Sequence, residues 1–182
     1  MKKEEYKKLN HELMHHGRIV DFYADTVELP NGELAHWDFI QHRGAAAIVP
    51  VLPDGRILMV RQYRVGPDQI TLEIPAGGLN GDEEMITCAT RECEEETGYR
   101  VVGEAKHLIT IYTTPAFCNE RIGIFYADHL EKSHQHLDPD EFVNVEAKTI
   151  DELTQMILNH EIIDTKTVTA VLTYKARIEQ KK

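Results

Sequence analysis

The chain has 182 residues, of which 42% are hydrophobic and 28% charged, enough to close one hydrophobic core, with at most a small appendage, without disulfide staples. Acidic residues outnumber basic ones 31 to 20, a formal charge of −11 with histidine neutral. That excludes coating nucleic acid or an anionic membrane by charge alone, because both need a basic face, and an anionic small substrate would need a cation between it and the protein.

Residues 3–15 are charged and read as a short helix or a frayed end. Gly17 to Leu29 reads as a strand, closed by the turn Pro30-Asn31-Gly32, and Glu33 to His42 returns as its partner. This hairpin, residues 1–42, is expected to be a small N-terminal subdomain, with the main domain over 43–182. Ala45 to Leu52 is a nearly continuous apolar run ending at Pro53-Asp54-Gly55, and Arg56 to Arg64 follows as its partner strand. Ile70 to Ile74 is a short strand that stops at Pro75-Ala76-Gly77-Gly78. From Asp82 the pattern turns helical: Ile86, Ala89 and Cys93 recur at i, i+3 and i+7, and Gly98 supplies the stop. Tyr99 to Tyr112 and Arg121 to Ala127 read as strands around a loop opened by Thr113-Thr114-Pro115, and Phe142 to Val145 as another. Ile150 to Asn159 and Asp164 to Arg177 read as closing helices, the second capped by Asp164. Strands and helices mix without regular βαβ alternation, which favours an α/β (α+β) sandwich over a doubly wound sheet.

Cys88, Cys93 and Cys118 are odd in number, and their spacing fits neither a disulfide framework nor a zinc ribbon. They read as reduced thiols of a cytoplasmic protein. No apolar h-region follows the N-terminus, and no stretch approaches the roughly 18 apolar residues that span a membrane. No nucleic-acid or membrane partner is expected.

Residues 77–99 carry the chemistry. Seven carboxylates (Asp82, Glu83, Glu84, Glu92, Glu94, Glu95 and Glu96) face one basic residue, Arg91. At about 100° per residue, Ile86, Ala89 and Cys93 form a buried stripe, Glu92 and Glu96 stand beside it, and Glu95 lies further round the same side. Like charges at i, i+4 destabilise a bare helix. They are tolerable where hard divalent cations sit among them, and all-oxygen ligands suit Mg²⁺ or Mn²⁺. The competing reading is a solvated acidic helix, and the spacing decides against it. Gly77, Glu83, Arg91, Glu92, Cys93, Glu95, Glu96, Gly98 and Tyr99 match G-x5-E-x7-R-E-U-x-E-E-x-G-U, with U apolar. Seven fixed residues at roughly 7% background each give about 10⁻⁸ per starting point.

The chain thus resembles the Nudix hydrolases, which cleave a nucleoside diphosphate linked to another group. The resemblance implies a mixed β-sheet sandwiched between helices. It makes Glu92, Glu95 and Glu96 metal ligands, Glu95 and Glu96 also catalytic, with the Ala76 carbonyl as a backbone ligand for Mg²⁺ or Mn²⁺. Glu83 and Arg91 are then structural, pairing to hold the loop against the helix, and Gly77 and Gly98 serve backbone geometry. Tyr99 is bulkier than the usual aliphatic residue at its position.

Outside this segment, Thr71-Leu72-Glu73-Ile74-Pro75-Ala76-Gly77, Val60-Arg61-Gln62-Tyr63-Arg64 and Pro115, 16 residues past Tyr99, look like the ADP-ribose pyrophosphatase branch. That branch usually carries Pro-Gly where this chain has Pro115-Ala116. Asp138-Pro139-Asp140-Glu141-Phe142-Val143 resembles its acidic loop, so Glu141 is the candidate catalytic base or further metal ligand, with Asp140 as the alternative. The resemblance makes Arg64 a phosphate contact, Trp37 a stacking platform for the base, His42 a basic contact and Pro115 part of the substrate wall. Plainer readings stand beside these: a strand-end surface arginine for Arg64, a core or interface tryptophan for Trp37, and solvated turn carboxylates for Glu141 and Asp140. It also implies a homodimer formed through the N-terminal hairpin, and a nucleoside diphosphate sugar, ADP-ribose, cleaved to AMP and ribose 5-phosphate. The alternatives are another nucleotide sugar such as GDP-mannose, a non-catalytic ADP-ribose-binding module, or an interaction protein with an acidic helix.

Overall fold

The computed structural model describes residues 2–180. The chain divides into two compact units. The first comprises the chain up to Gly44 together with Tyr112–Arg121. After a 3-10 turn at Lys3–Glu5 it forms an antiparallel meander of β1 (Lys7–His16), β2 (Val20–Glu28) and β3 (Leu34–His42). Residues 3–15 are therefore mostly strand, not helix or frayed end. Cross-strand pairing overrides local helix propensity here. His11 stacks on Tyr23 with ring centroids 3.9 Å apart, and its Nδ1 lies 2.5 Å from an Asp25 oxygen. Lys8 reaches the other oxygen of the same buried carboxylate. The β2–β3 turn closes at Gly32, whose φ of 83° only glycine adopts readily. The returning segment is stitched to β3: Ile40 N–H donates to the Phe117 carbonyl at 2.7 Å.

The second unit holds β4 (Ala45–Pro50), β5 (Ile57–Arg64), β6 (Gln69–Glu73), β7 (Ala76–Gly78), α1 (Met85–Thr97), β8 (Tyr99–Val101), β9 (Lys106–Tyr112) and β10 (Arg121–Ala127) except for the end residues Tyr112 and Arg121, β11 (Leu130–Lys132), β12 (Asn144–Lys148), α2 (Ile150–Leu158) and α3 (Thr165–Glu179). One sheet runs β7-β4-β10-β9, with β4 parallel to β10, and a second runs β12-β5-β6. β4 is apolar throughout because both of its faces are buried. Ala45, Ala47 and Val49 pack into a core shared with Leu153 of α2 and Val171 of α3, while Ala46 and Ile48 pack against Cys88, Ala89 and Cys93 of α1. Helices thus cover both faces of β4, the expected sandwich. Asp164 caps α3, accepting from Thr167 N–H at 3.0 Å.

Several boundaries differ from expectation. α1 begins at Met85, because Glu83 turns back toward Arg91 in place of extending the helix. The buried face of α1 is Cys88, Ala89, Glu92, Cys93 and Glu96, whereas Ile86 is 40% exposed. The stripe is rotated so that two glutamates lie within it. Tyr99 to Tyr112 is two strands, not one, and β12 starts beyond the solvent-facing Phe142. β7 and β11 form where no strand was expected.

Candidate active site

α1 brings the acidic residues against the loop at β7. Glu96 is 2% exposed, and its Oε2 accepts the Ala76 N–H at 3.0 Å. Burial pushes its carboxyl up to about 8, outweighing that hydrogen bond, and the charges of Glu92 and Glu141 add to the rise. Glu92 is also buried and also raised, first by burial, against the pull of Arg91. A carboxyl so placed resists ionising until a cation arrives.

Gly77 makes room for Glu92. A methyl group built on Gly77 would stand 1.9 Å from Glu92 Oε1, so no side chain fits there while that carboxylate keeps its place. Arg91 organises the edge of the cluster. Its Nε and Nη2 each lie 3.0 Å from one oxygen of Glu83, a two-point fork. Its Nη1 bridges Glu92 at 2.6 Å and Glu95 at 2.7 Å, and Nη2 reaches the Gly78 carbonyl at 3.3 Å. Gly98 ends α1 in the left-handed conformation, φ 70°.

A second charged cluster comes from β5, β6 and α3, near enough that the charge of Arg64 acts on Glu96. Arg64 donates from Nε and Nη2 to the two oxygens of Glu73, at 2.9 and 2.7 Å. Lys166 also binds Glu73 and reaches Asp164 at 3.0 Å. Burial pushes the Glu73 carboxyl up, but Arg64 and Lys166 together hold it at about 2. The exposed acidic loop places Glu141 close enough to raise both Glu92 and Glu96, and Glu141 itself accepts from Asp138 N–H at 3.2 Å. Cys88 and Cys93 are buried, which pushes both thiols up to about 12, so neither is a nucleophile at neutral pH.

The profile of the NUDIX domain matches residues 41–170, a span that contains this whole cluster. The chain belongs to the NUDIX domain family. Two relatives match nearly end to end. An ADP-ribose pyrophosphatase of Bacillus subtilis is 37% identical over 94% of this chain and 93% of its own length. A methanol dehydrogenase activator of Bacillus methanolicus is 40% identical over 92% of this chain and 91% of its own. Among solved structures, an ADP compounds hydrolase superposes with a TM-score of 0.85 at 19% identity, covering 97% of this chain and 95% of that one. That likeness shows the fold.

Nudix hydrolases use divalent metal ions, and the donor set here suits one: hard carboxylate oxygens, among them those of Glu92 and Glu96, whose ionisation burial disfavours. Among the described residues no three metal-binding side chains are already gathered round one point. Arg91 stands between Glu92 and Glu95 and engages one oxygen of each carboxylate.

The expected Nudix substrate contacts fall in different units. Arg64 lies with the glutamates. Trp37, His42 and Pro115 lie in the first unit, where Trp37 and Pro115 line one cavity of about 350 Å³ with Phe39 and Cys118. Trp37 is 49% exposed, so it is not a core residue. His42 is tied down locally: its Nδ1 accepts from Gly44 N–H at 2.9 Å, and its Nε2 stands 3.6 Å from Glu120. Reading the sequence for individual site residues missed Glu73 and Lys166. Glu73 had a signal, a lone charge in the apolar run Leu72 to Ile74. Lys166 had none, since its partner lies 93 residues away in the chain.

Proposed function

We propose that this chain hydrolyses the diphosphate bond of a nucleoside diphosphate sugar, ADP-ribose, releasing AMP and ribose 5-phosphate. The observation that carries this reading is the pair of buried α1 glutamates, Glu92 and Glu96, held beside the Gly77 loop. It is supported by the near full-length likeness to an ADP-ribose pyrophosphatase.

In this reading Glu92, Glu95, Glu96 and the Ala76 carbonyl hold divalent cations, Mg²⁺ or Mn²⁺. Such ions, when bound, neutralise diphosphate oxygens and lower the pKa of a water. The chain's own residues do the rest. Arg64, its plane set by Glu73, contacts a phosphate. Glu141 accepts the proton of the attacking water. Trp37 stacks on the base beside Pro115. His42 contributes through Nε2, the nitrogen that does not accept from Gly44. Glu83, Arg91, Gly77 and Gly98 shape the scaffold. A pure binding module would need no complete glutamate set.

The first unit further supports a homodimer. β1 exposes Leu9, Leu13 and Met14, each at least half accessible, and a second copy would cover them. Light scattering of the purified protein tests this, and a monomer at working concentration would refute it. No helix of the described residues is long and apolar enough to cross a membrane, which fits a protein of the cytoplasm.

The deciding experiment is product analysis by chromatography. The protein is incubated with Mg²⁺ or Mn²⁺ and ADP-ribose, GDP-mannose, UDP-glucose, NADH or diadenosine polyphosphates. AMP and ribose 5-phosphate formed preferentially from ADP-ribose, and abolished by a chelator, is the expected result. Preferential turnover of another nucleotide sugar would replace the substrate, and no turnover would sink the activity.

A further inference from the structure

The C-terminal end of α1 carries carbonyls that no helical N–H can satisfy. One short segment, Ser133 to His136, takes up this end. Ser133 N–H donates to the Gly98 carbonyl at 2.7 Å, and His136 N–H donates to the Glu95 carbonyl at 3.0 Å. Gln135 donates its side-chain amide to the Glu96 carbonyl at 2.6 Å, and Ser133 Oγ donates to the Glu94 carboxylate at 2.6 Å. Four bonds within four residues thus fasten this strap to the turn that bears Glu95 and Glu96. Gly98 lets it pass close: a methyl group there would stand 3.3 Å from the backbone nitrogen of Gln135.

The acidic loop begins directly after the strap. Asp138 to Glu141 forms a turn, with Glu141 N–H donating to the Asp138 carbonyl at 2.9 Å. Glu141 follows Gln135 by six residues, a span that cannot stretch beyond about 20 Å. Its charge is felt by both Glu92 and Glu96. A loop side chain that must meet a substrate needs a fixed base, because small errors of placement lower rates steeply. Here the base is the same helix end that carries the acidic cluster.

We propose that Gln135 is a positioning residue: by binding the backbone carbonyl of Glu96, it fixes the distance between the α1 glutamates and Glu141. This rests on the reading of Glu141 as the proton acceptor. The strap's backbone bonds hold the chain's path, and the Gln135 amide holds its depth against α1. The role needs a donor at residue 135. Lysine supplies one, and a cation is favoured at a helix C-terminus. Glutamate supplies an acceptor where an acceptor already stands.

The test is a double-mutant cycle on ADP-ribose hydrolysis, using the full chain with Mg²⁺. Q135A is expected to lower kcat on the order of tenfold, leaving KM within about twofold and Mn²⁺ affinity, read by magnetic resonance of the free ion, unchanged. Q135K is expected to recover most of the loss, and Q135E none of it. In an E141Q background, Q135A is expected to have no further effect, because both act through one group. If Q135A lowers kcat equally with and without Glu141, or weakens Mn²⁺ binding in parallel, Gln135 acts through α1 and the proposal is wrong. Wild-type kcat in E141Q would overturn the reading of Glu141 itself, and this proposal with it. Wild-type protein without turnover would remove the activity on which both depend. Should Q135A fold poorly, the contrast between Q135K and Q135E decides: equal kcat in these two refutes the need for a donor.

Discussion

Arg64 lies against Glu73 with two N–H···O bonds, 2.9 and 2.7 Å, and Lys166 binds the same carboxylate from α3. One buried anion therefore orients a half-exposed guanidinium and neutralises a buried ammonium. Glu73→Gln would leave both cations facing a neutral amide. A loss of about 3 kcal/mol in urea unfolding is expected, the low end for breaking a buried pair, because Arg64 keeps access to water. The pH dependence has a definite sign. Glu73 is held at about 2 against an ordinary 4.5. Its contribution is full above pH 4.5 and is lost as pH falls toward 2. The E73Q protein should show a flatter acid limb over that window, and parallel limbs would contradict the assignment.

Glu96 has the opposite shift, up to about 8. In metal-free protein its buried carboxyl favours the protonated form, so stability is full below pH 4.5 and declines as pH rises toward 8. Glu96→Gln, which mimics that neutral form, should remove the decline while lowering turnover on the order of 10²- to 10³-fold. Thermal unfolding in chelator from pH 5 to 8 reads the first effect, and steady-state assays read the second.

A methyl group on Gly77 would overlap the Glu92 carboxylate. G77A should therefore weaken divalent-cation binding about 10- to 100-fold while β7 still pairs with β4. Calorimetric titration of Mn²⁺ checks this, and wild-type affinity would mean that Glu92 holds no metal.

Arg91 joins Glu83, Glu92 and Glu95. R91K keeps the charge but cannot form the fork to Glu83 while bridging the other two. Its turnover should fall about tenfold or more, with a Tm drop smaller than that of R91A. Equal behaviour of the two variants would show that charge alone matters.

Trp37→Ala should raise KM for ADP-ribose about fivefold or more, on the scale of one lost base stack, with kcat nearly unchanged. A kcat effect without a KM effect would assign Trp37 to the fold.

The acidic helix, its closing glycine and the apolar central strand were legible because each is a local pattern: a fixed spacing, a helix stop, an unbroken run of buried residues. The rotation of α1 was not. Ile86 looks like a core residue from its period, but β4 and the Gly77 loop approach from the side of Glu92 and Glu96. Burying two carboxylates is unfavourable on any local scale and becomes acceptable only with the partners that tertiary contacts bring. The strand at Lys7–His16 was hidden for a related reason. Its residues favour a helix in isolation, and only pairing with β2 decides the matter.

The sequence by itself determined the family and the identities of the acidic residues, since spacing along a chain survives without coordinates. Tertiary structure decided which of those carboxylates are buried, and which cation holds which anion. It also decided how Ser133–His136, the segment before the acidic loop, is fastened to the end of α1. Arg64–Glu73–Lys166 and Gln135–Glu96 join residues 9, 93 and 39 positions apart. Burial and hydrogen bonding depend on distance in space, and separation along the chain does not encode that distance.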